Sequence, residues 1–446
     1  MRSRRSWAGP LLALVIVVGV AVGAAWVFVG RTIPDPGLSP ALATRTPDAA
    51  HGAYVAVLGD CAACHTAPGG AALAGGVSFP TPVGMVTSSN ITPDKDHGIG
   101  RYSLKDFVRL MRLGVRPDGG RVYPAMPYTA YAKVSDEDLQ DLYAYLTKTV
   151  APAATPNRPS AILWPLSVRW PLALWNLAFH QDRRFTADPS QSVQWNRGAY
   201  LVQGLAHCGT CHTPRGFAFQ ERDVDGRTNL FLSGSELDGS APINLRANPG
   251  DGLGRWTPEE IVELLSTGKS VHSAVVGPMA EVIAHSTQYM TPADLAAIAV
   301  YLKSLSPAPN AGRATFAAST ATIDEIVAGH QTSPGGRAFM DSCAACHHLA
   351  GDGSGHTLPG LAGNSSVLAQ HPDSLIGVIL AGARLPGTTQ APSRTAMPPF
   401  GWRYDDAQVA ALATYVRQSW GNHASAVTAG QVKAIRAGLH LPEPHG

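Results

Sequence analysis

The sequence predicts an all-α chain of three tandem repeats behind an N-terminal membrane-spanning helix. Three observations carry that prediction: a pentapeptide that recurs three times with one spacing, a pair of helix signals framing each copy, and an uncharged apolar stretch near the N-terminus. The 446 residues are too many for one hydrophobic core, and a soft prior of roughly 150 residues per domain gives about three. Apolar residues make up 45% and charged residues only 15%, which argues against disorder. Gly 46 and Pro 35 predict helices separated by long, punctuated loops. A net charge of +2 leaves no basic field for nucleic acid.

The first signal is the N-terminal stretch. Arg2, Arg4 and Arg5 precede an uncharged run from Leu11 to Gly30, closed by Arg31. At about 1.5 Å per residue the run spans roughly 30 Å, the hydrocarbon thickness of a bilayer. A cleaved signal peptide is the alternative, and Gly23, Ala24 and Ala25 keep it open, but its apolar region is usually about 7–15 residues. Both readings leave residues 1–10 in the cytoplasm and carry everything after Arg31 across the membrane.

The motifs come next. All six cysteines fall in three pairs, each followed at once by histidine: Cys61/Cys64–His65, Cys208/Cys211–His212 and Cys343/Cys346–His347. Two thiols three positions apart lie on one side of a helical turn, where both can add to the vinyl groups along one haem edge. The next residue turns its imidazole under the iron. This is c-type haem attachment with a proximal histidine, three times over. A zinc half-site would leave the histidines redundant, and a redox disulfide would not explain why all three pairs carry one. Covalent attachment of three haem c groups consumes every thiol, so no disulfide is expected.

Before each motif a short helix is expected: Gly52-Ala53-Tyr54-Val55, Gly198-Ala199-Tyr200-Leu201 and Gly336-Arg337-Ala338-Phe339. After each motif a second helix opens on a cap. Ser135 leads to Tyr145-Leu146, Thr291 with Pro292 and Asp294 leads to Tyr301-Leu302, and Asp405-Asp406 lead to Tyr415-Val416. The organisation expected is a cytoplasmic N-terminus 1–10, an anchor (or signal) 11–30, and repeats at 45–150, 191–306 and 334–422. Linkers fall at 151–190 and 307–333, and a tail at 423–446. The first linker is Trp-rich, with Trp164, Trp170 and Trp175 beside Arg169, Arg183 and Arg184. Either it packs between domains or it offers a membrane or partner surface. The second linker is polar and rich in Ala and Thr, so the third repeat is expected to be the more loosely tied.

The sixth iron ligand should come from the loop between motif and last helix. Met126 (Met-Pro), Met279 (Pro-Met) and Met397 (Met-Pro) are the one such pair in each repeat, their prolines holding the loop extended. Met290 is expected to pack beside Thr291, and Met85 and Met111 to sit in the core. His97, His272, His285, His356 and His371 are available for a bis-histidine alternative. A thioether is a soft, neutral ligand that favours ferrous iron and raises the potential, and six-coordinate iron has no open position for substrate. Such centres pass electrons, and no acid/base pair, phosphate loop or nucleophile motif stands out. A five-coordinate haem enzyme such as a peroxidase is the outlying alternative.

Beyond the motifs, the chain contains Gly59-Asp60-Cys61-Ala62-Ala63-Cys64-His65-Thr66-Ala67, Asn90-Ile91-Thr92-Pro93-Asp94, Tyr123-Pro124-Ala125-Met126-Pro127-Tyr128, Trp195-Asn196-Arg197-Gly198-Ala199-Tyr200 and Gly277-Pro278-Met279-Ala280-Glu281-Val282. Over roughly residues 45–422 it closely resembles the tri-haem cytochrome c subunits of membrane-bound periplasmic dehydrogenases of acetic acid bacteria and related proteobacteria. Their catalytic partners oxidise alcohols, gluconate, sorbitol, fructose or aldehydes with PQQ, flavin or molybdenum. The resemblance implies three class I cytochrome c-like haem domains on the periplasmic side of the inner membrane. His65, His212 and His347 would be proximal ligands, and Met126, Met279 and Met397 distal ones. It further implies an electron-transfer subunit with no catalytic substrate site of its own. Such a subunit takes electrons from a catalytic subunit, with a small third subunit alongside, and passes them to ubiquinone or a terminal oxidase. A stand-alone tethered cytochrome donating to an oxidase is the alternative. The long N-terminal apolar run departs from relatives that carry a cleaved signal or a C-terminal anchor.

Overall fold

A computed structural model describes residues 17–20, 23–24, 26, 32–237, 239–309, 314–355 and 357–441. Most of the run from Leu11 to Gly30, and so the expected anchor, lies outside the described residues. Among those described, no helix is long and apolar enough to cross a membrane. The described chain is mostly helical, with a few short antiparallel strands added to the all-α expectation. It divides into two compact units, residues 1–52 with 67–184, and residues 53–66 with 185–446.

In chain order the first elements are α1 (Ala49–Leu58), α2 (Cys61–His65), β1 (Ser78–Thr81), β2 (Gly84–Thr87), α3 (Leu104–Leu113), α4 (Tyr128–Tyr131), α5 (Asp136–Lys148), β3 (Ala161–Ile162) and α6 (Leu172–Phe179). Local chemistry sets their ends. Ser103 and Asp106 close a capping box on α3, Gly114 ends it at φ 64°, and Ser135 Oγ accepts from Asp138 N–H to start α5. Arg112 on α3 is fully buried, held by Asp136 at 2.5 Å and by the Val134 carbonyl at 2.7 Å.

The expected connector after α5 is part of this unit. Asn90, 2% exposed, accepts from Thr92 and donates to the carbonyls of Ala153 and Thr155, while its own N–H meets Asn157. β3 then adds a third strand to the β1–β2 hairpin, opposite Gly84 and Met85. Met85 is 39% exposed there rather than in the core, because its strand is an open hairpin and not a buried layer; Met111 is buried as expected. On α6, Asn176 joins Tyr128 Oη to the Leu113 carbonyl, and Trp175 meets the Tyr128 ring edge-on. The Trp-rich segment both packs and faces solvent, since Trp164, Leu166 and Leu177 are exposed.

The second unit continues with α7 (Val193–Tyr200), α8 (Gly209–His212), α9 (Pro258–Thr267), α10 (Pro278–His285), α11 (Pro292–Ser304), β4 (Thr315–Phe316), α12 (Ala321–Val327), α13 (Pro334–Ser342), α14 (Ala344–His347), α15 (Ser365–Leu368), α16 (Asp373–Ala381), β5 (Ala383–Arg384), β6 (Ala396–Met397), α17 (Asp406–Gln418), β7 (Asn422–His423) and α18 (Ala429–Gly438). The third repeat is not loosely tied to the second. Trp256 Nε1 donates to Ser365, Arg255 lies over Phe316 and reaches the Gly363 carbonyl, and Lys269 reaches the Ser393 carbonyl. Within the described part of the polar linker, β4 pairs with β7. The described part of the tail contains a packed helix: α18 buries Val432 and Arg436, and Arg436 holds Asp406 at 2.8 Å.

One crossing recurs three times. A Cβ on Gly52 would meet the Asp141 carbonyl at 1.9 Å and Tyr145 Cβ at 2.9 Å. The same pairing brings Gly198 onto Ala297 and Tyr301, and Gly335 onto Ala411 and Tyr415. In each repeat the helix before the motif therefore touches the last helix backbone to backbone, with a tyrosine one turn on. The third crossing glycine is Gly335, directly before the segment that opens at Gly336, because Gly335 is the one that faces the α17 backbone. Counted from the crossing, Cys208 lies one residue further along than Cys61, and Leu201–Leu205 absorb it as a π-helical turn.

Candidate haem-attachment sites

Each Cys-x-x-Cys-His motif forms a single helical turn: α2, α8 with Cys208 as its cap, and α14 with Cys343 as its cap. Residues flanking the motifs take the left-handed backbone rarely seen outside glycine, at Asp60 (φ 50°), His207 (φ 37°) and His348 (φ 58°). None of the six cysteines is joined in a disulfide. Burial pushes the thiols of Cys61, Cys64 and Cys208 up to about 12 and that of Cys343 up to about 11. Neutral thiols are unlike the activated thiolate of a redox dithiol. Among the described residues no group of three or more His, Cys, Asp and Glu is arranged to hold a metal ion.

Cys346 departs from the expected pattern of two thiols presented alike. It is exposed, whereas its partner Cys343 is buried and the four cysteines of the other two motifs are half-buried. The cause is where α14 sits. Cys343 belongs to the core of the third repeat with Phe339, and the short turn that follows leaves that core, so Ala345 and Cys346 face solvent. The two thiols of the third pair thus differ in exposure, Cys343 buried and Cys346 exposed.

Two of the three motif histidines are oriented by the backbone. His212 Nδ1 lies 2.7 Å from the Ile243 carbonyl and His347 Nδ1 lies 3.0 Å from the Pro359 carbonyl. A carbonyl can only accept, so Nδ1 carries the proton and Nε2 presents its lone pair. Burial lowers the proton affinity of both rings, more than these bonds raise it, so both stay neutral as iron ligands must be. His65 closes α2. A pair of thiols beside a neutral imidazole that presents its Nε2 is the donor set that covalent haem c requires.

The three candidate methionines are all half-buried, but in different local structures. Met126 lies in a turn closed by its N–H on the Tyr123 carbonyl, within the first unit. Met279 is in the first turn of α10, where Pro278 starts the helix and Gly277 precedes it at φ 58°. Met397 is on β6 opposite Ala383. Only the last fits the extended loop expected beside proline, because Pro at a helix N-terminus favours the helix instead. Met290 is buried beside the cap of α11 as expected. Of the alternative histidine ligands, His272, His285 and His371 sit on Glu260, Glu281 and Glu236 at 3.0 to 3.3 Å, and the His97 N–H caps onto Asp94. His356 lies outside the described residues.

These turns, thiols and oriented imidazoles define a c-type cytochrome. The Cytochrome c family model matches residues 49–149 and 333–420. The chain is 44% identical to the cytochrome c subunit of a quinone alcohol dehydrogenase of Gluconacetobacter polyoxogenes, over 88% of this chain and 86% of that one. It is 45% identical to the gluconate 2-dehydrogenase cytochrome c subunit of Pantoea cypripedii, over 86% and 88%. It is 37% identical to the fructose dehydrogenase cytochrome subunit of Gluconobacter japonicus, over 90% and 85%. The chain belongs to the family of dehydrogenase cytochrome c subunits, whose role is electron transfer.

Sequence reasoning did not find the residues directly before the cysteines. Asp60 is 7% exposed with a buried, unpartnered Oδ1, and the His207 imidazole faces the Gly59 backbone, where burial pushes it down to about 4. The signal was a carboxyl and an imidazole at matching positions ahead of two apolar motifs.

Proposed function

We propose that this chain carries three haem c groups and is the electron-transfer subunit of a membrane-bound dehydrogenase complex. It would pass electrons from a flavin, PQQ or molybdenum catalytic subunit, with a small third subunit alongside, to ubiquinone or a terminal oxidase. The observation that carries the reading is the threefold crossing of Gly52, Gly198 and Gly335 onto Asp141, Ala297 and Ala411, each just ahead in the chain of its own Cys-x-x-Cys-His turn. Relatives named for alcohol, gluconate and fructose dehydrogenases supply the class of partner. The corresponding domains are 45–150, 191–306 and 334–422.

The haem iron supplies a one-electron centre; the chain's residues hold and tune it. Cys61/Cys64, Cys208/Cys211 and Cys343/Cys346 would hold the haems through thioethers, and His65, His212 and His347 would each supply an imidazole to the iron. Met126, Met279 and Met397 would supply the second ligand, a soft thioether that raises the potentials. The apolar run 11–30 and the exposed Trp164 and Leu177 support attachment to the inner membrane with the haems in the periplasm.

Purification of the native chain from detergent tests the partner: a dehydrogenase polypeptide is expected with it, and its substrate should reduce the haems while a ubiquinone analogue reoxidises them. Recovery alone, with electrons passing only to an oxidase, would favour the stand-alone reading. Met126→Ala, Met279→Ala and Met397→Ala are each expected to remove about one third of the methionine-to-iron charge-transfer absorption. An unchanged spectrum means the wrong methionine.

A further inference from the structure

We infer that Asp60 is a proton-coupled tuning residue for the haem at Cys61 and Cys64, taking up a proton as that haem is reduced and releasing it on reoxidation. The inference rests on the reading that this motif carries haem c.

Asp60 is an unusual cap. It stands at the N-terminal end of α2, directly before Cys61, at φ 50° and ψ 35°, yet makes no side-chain cap bond. A helix-start aspartate normally turns its carboxyl onto the first amides. Here the left-handed backbone leaves the carboxyl inside the protein instead, and its Oδ1 is buried without a partner. A buried carboxylate with an unmet oxygen is costly, so such a group is held for a reason other than stability.

The surroundings favour the neutral acid. Burial first, then the charge of Glu281 on α10, push the carboxyl up to about 8. Other titratable groups face this junction from each packed element. Cys61 and Cys64 belong to α2, Cys211 to α8, and both pairs become uncharged thioethers once haem is attached. His207 comes from the turn before α8 and is held neutral by burial; His285, next along α10, is exposed and pairs with Glu281 at 3.3 Å. The junction is also fixed in place: Ser286 Oγ donates to the Val57 carbonyl and Tyr54 Oη to Asp294, both at 2.7 Å. Asp60 therefore stays beside its motif in either charge state.

The balance is one electron and one proton. An electron arriving from the reduced organic or molybdenum cofactor of a catalytic subunit removes one positive charge from the iron centre. Asp60 loses the charge that favoured its carboxylate and takes one proton from water, –COO⁻ becoming –COOH. Oxidation by the acceptor returns both. By linkage the sign is fixed: where Asp60 titrates, raising the pH stabilises the oxidised haem and lowers its potential. Full coupling is a tenfold change in the reduction equilibrium per pH unit, about 59 mV for one electron.

Spectroelectrochemical titration of the full holo-chain from pH 5.5 to 9 tests this. One haem of the wild type is expected to show a potential that falls with pH. Asp60→Asn should abolish the slope and leave that haem at the high-potential, protonated limit, and Asp60→Glu should keep a slope. Glu281→Gln alters an exposed side chain, so the fold is retained. It should move the sloping window to lower pH, because removing a neighbouring negative charge lets Asp60 ionise more readily. A flat wild-type profile, an unaltered slope in Asp60→Asn or an unmoved window in Glu281→Gln overturns the proposal. Peptide masses from the same sample separate the failures: haem present on Cys61/Cys64 without a slope overturns this inference alone, whereas haem missing there overturns the underlying reading as well.

Discussion

The second and third repeats share one crossing and differ in what surrounds it. In the second, Arg197, one residue before the crossing glycine, forms a bidentate pair with Asp294 at 2.7 and 2.9 Å, and Tyr54 donates to the same carboxylate. In the third, Pro334 stands where Arg197 does, and Gln408 stands where Asp294 does and serves only as the capping-box partner of Asp405. Its locking charge lies elsewhere, in α18, where Arg436 holds Asp406 and the carbonyls of Gly401 and Tyr404. Backbone contact at glycine is therefore the shared requirement, and the ionic lock is free to move. The geometry that sets each Cys-x-x-Cys-His turn behind its crossing is repeated, whereas stabilisation is improvised.

The largest expected effect strikes the shared part. Gly198→Ala and Gly335→Ala place a methyl on a helix carbonyl, at 2.0 and 2.2 Å, and should each destabilise their repeat by about 3 kcal/mol or more in denaturant titration of the holo-protein. Unequal losses would break the equivalence of the two crossings. Arg436→Ala removes three bonds and leaves Asp406 without its cation; a loss of about 2–3 kcal/mol confined to the third repeat is expected, and a loss in the second would refute the assignment of the lock.

The smallest effect is pH-dependent. Burial raises the proton affinity of Asp294, but the bonds from Arg197 and Tyr54, with the charge of Arg197, hold its carboxyl below the usual carboxylate range. A folded-state value below the unfolded one contributes stability that is present above the ordinary aspartate range and is lost as pH falls through the folded value. Gln408 cannot titrate. Hydrogen exchange of α11 should therefore accelerate on acidification below about pH 4 while α17 changes less; the reverse order would contradict the comparison.

Much of this was legible because it is local. Ser135, Thr291 and Asp405 cap their helices as their side-chain oxygens predict, and the three motifs each form their turn. What sequence missed depends on distant partners. Gly335 is forced because the Ala411 carbonyl lies against it, and the connector is held because Asn90 grips residues 153–157. The tail becomes a helix because Arg436 finds Asp406. Met279 was expected in an extended loop because proline reads the same at a helix start as in a loop. Cys346 carries the same spacing as Cys64 and Cys211, yet it alone is exposed, because spacing does not encode how far a turn stands from the core behind it. Asp60 was overlooked because its unusual feature, a left-handed backbone that withholds the cap, has no sequence signature.

The central claim is one haem for each crossing. Mass spectrometry of the proteolysed holo-chain should find three haem-bearing peptides, containing Cys61/Cys64, Cys208/Cys211 and Cys343/Cys346. A free-thiol or disulfide form of any one pair in the mature, fully loaded protein would contradict it.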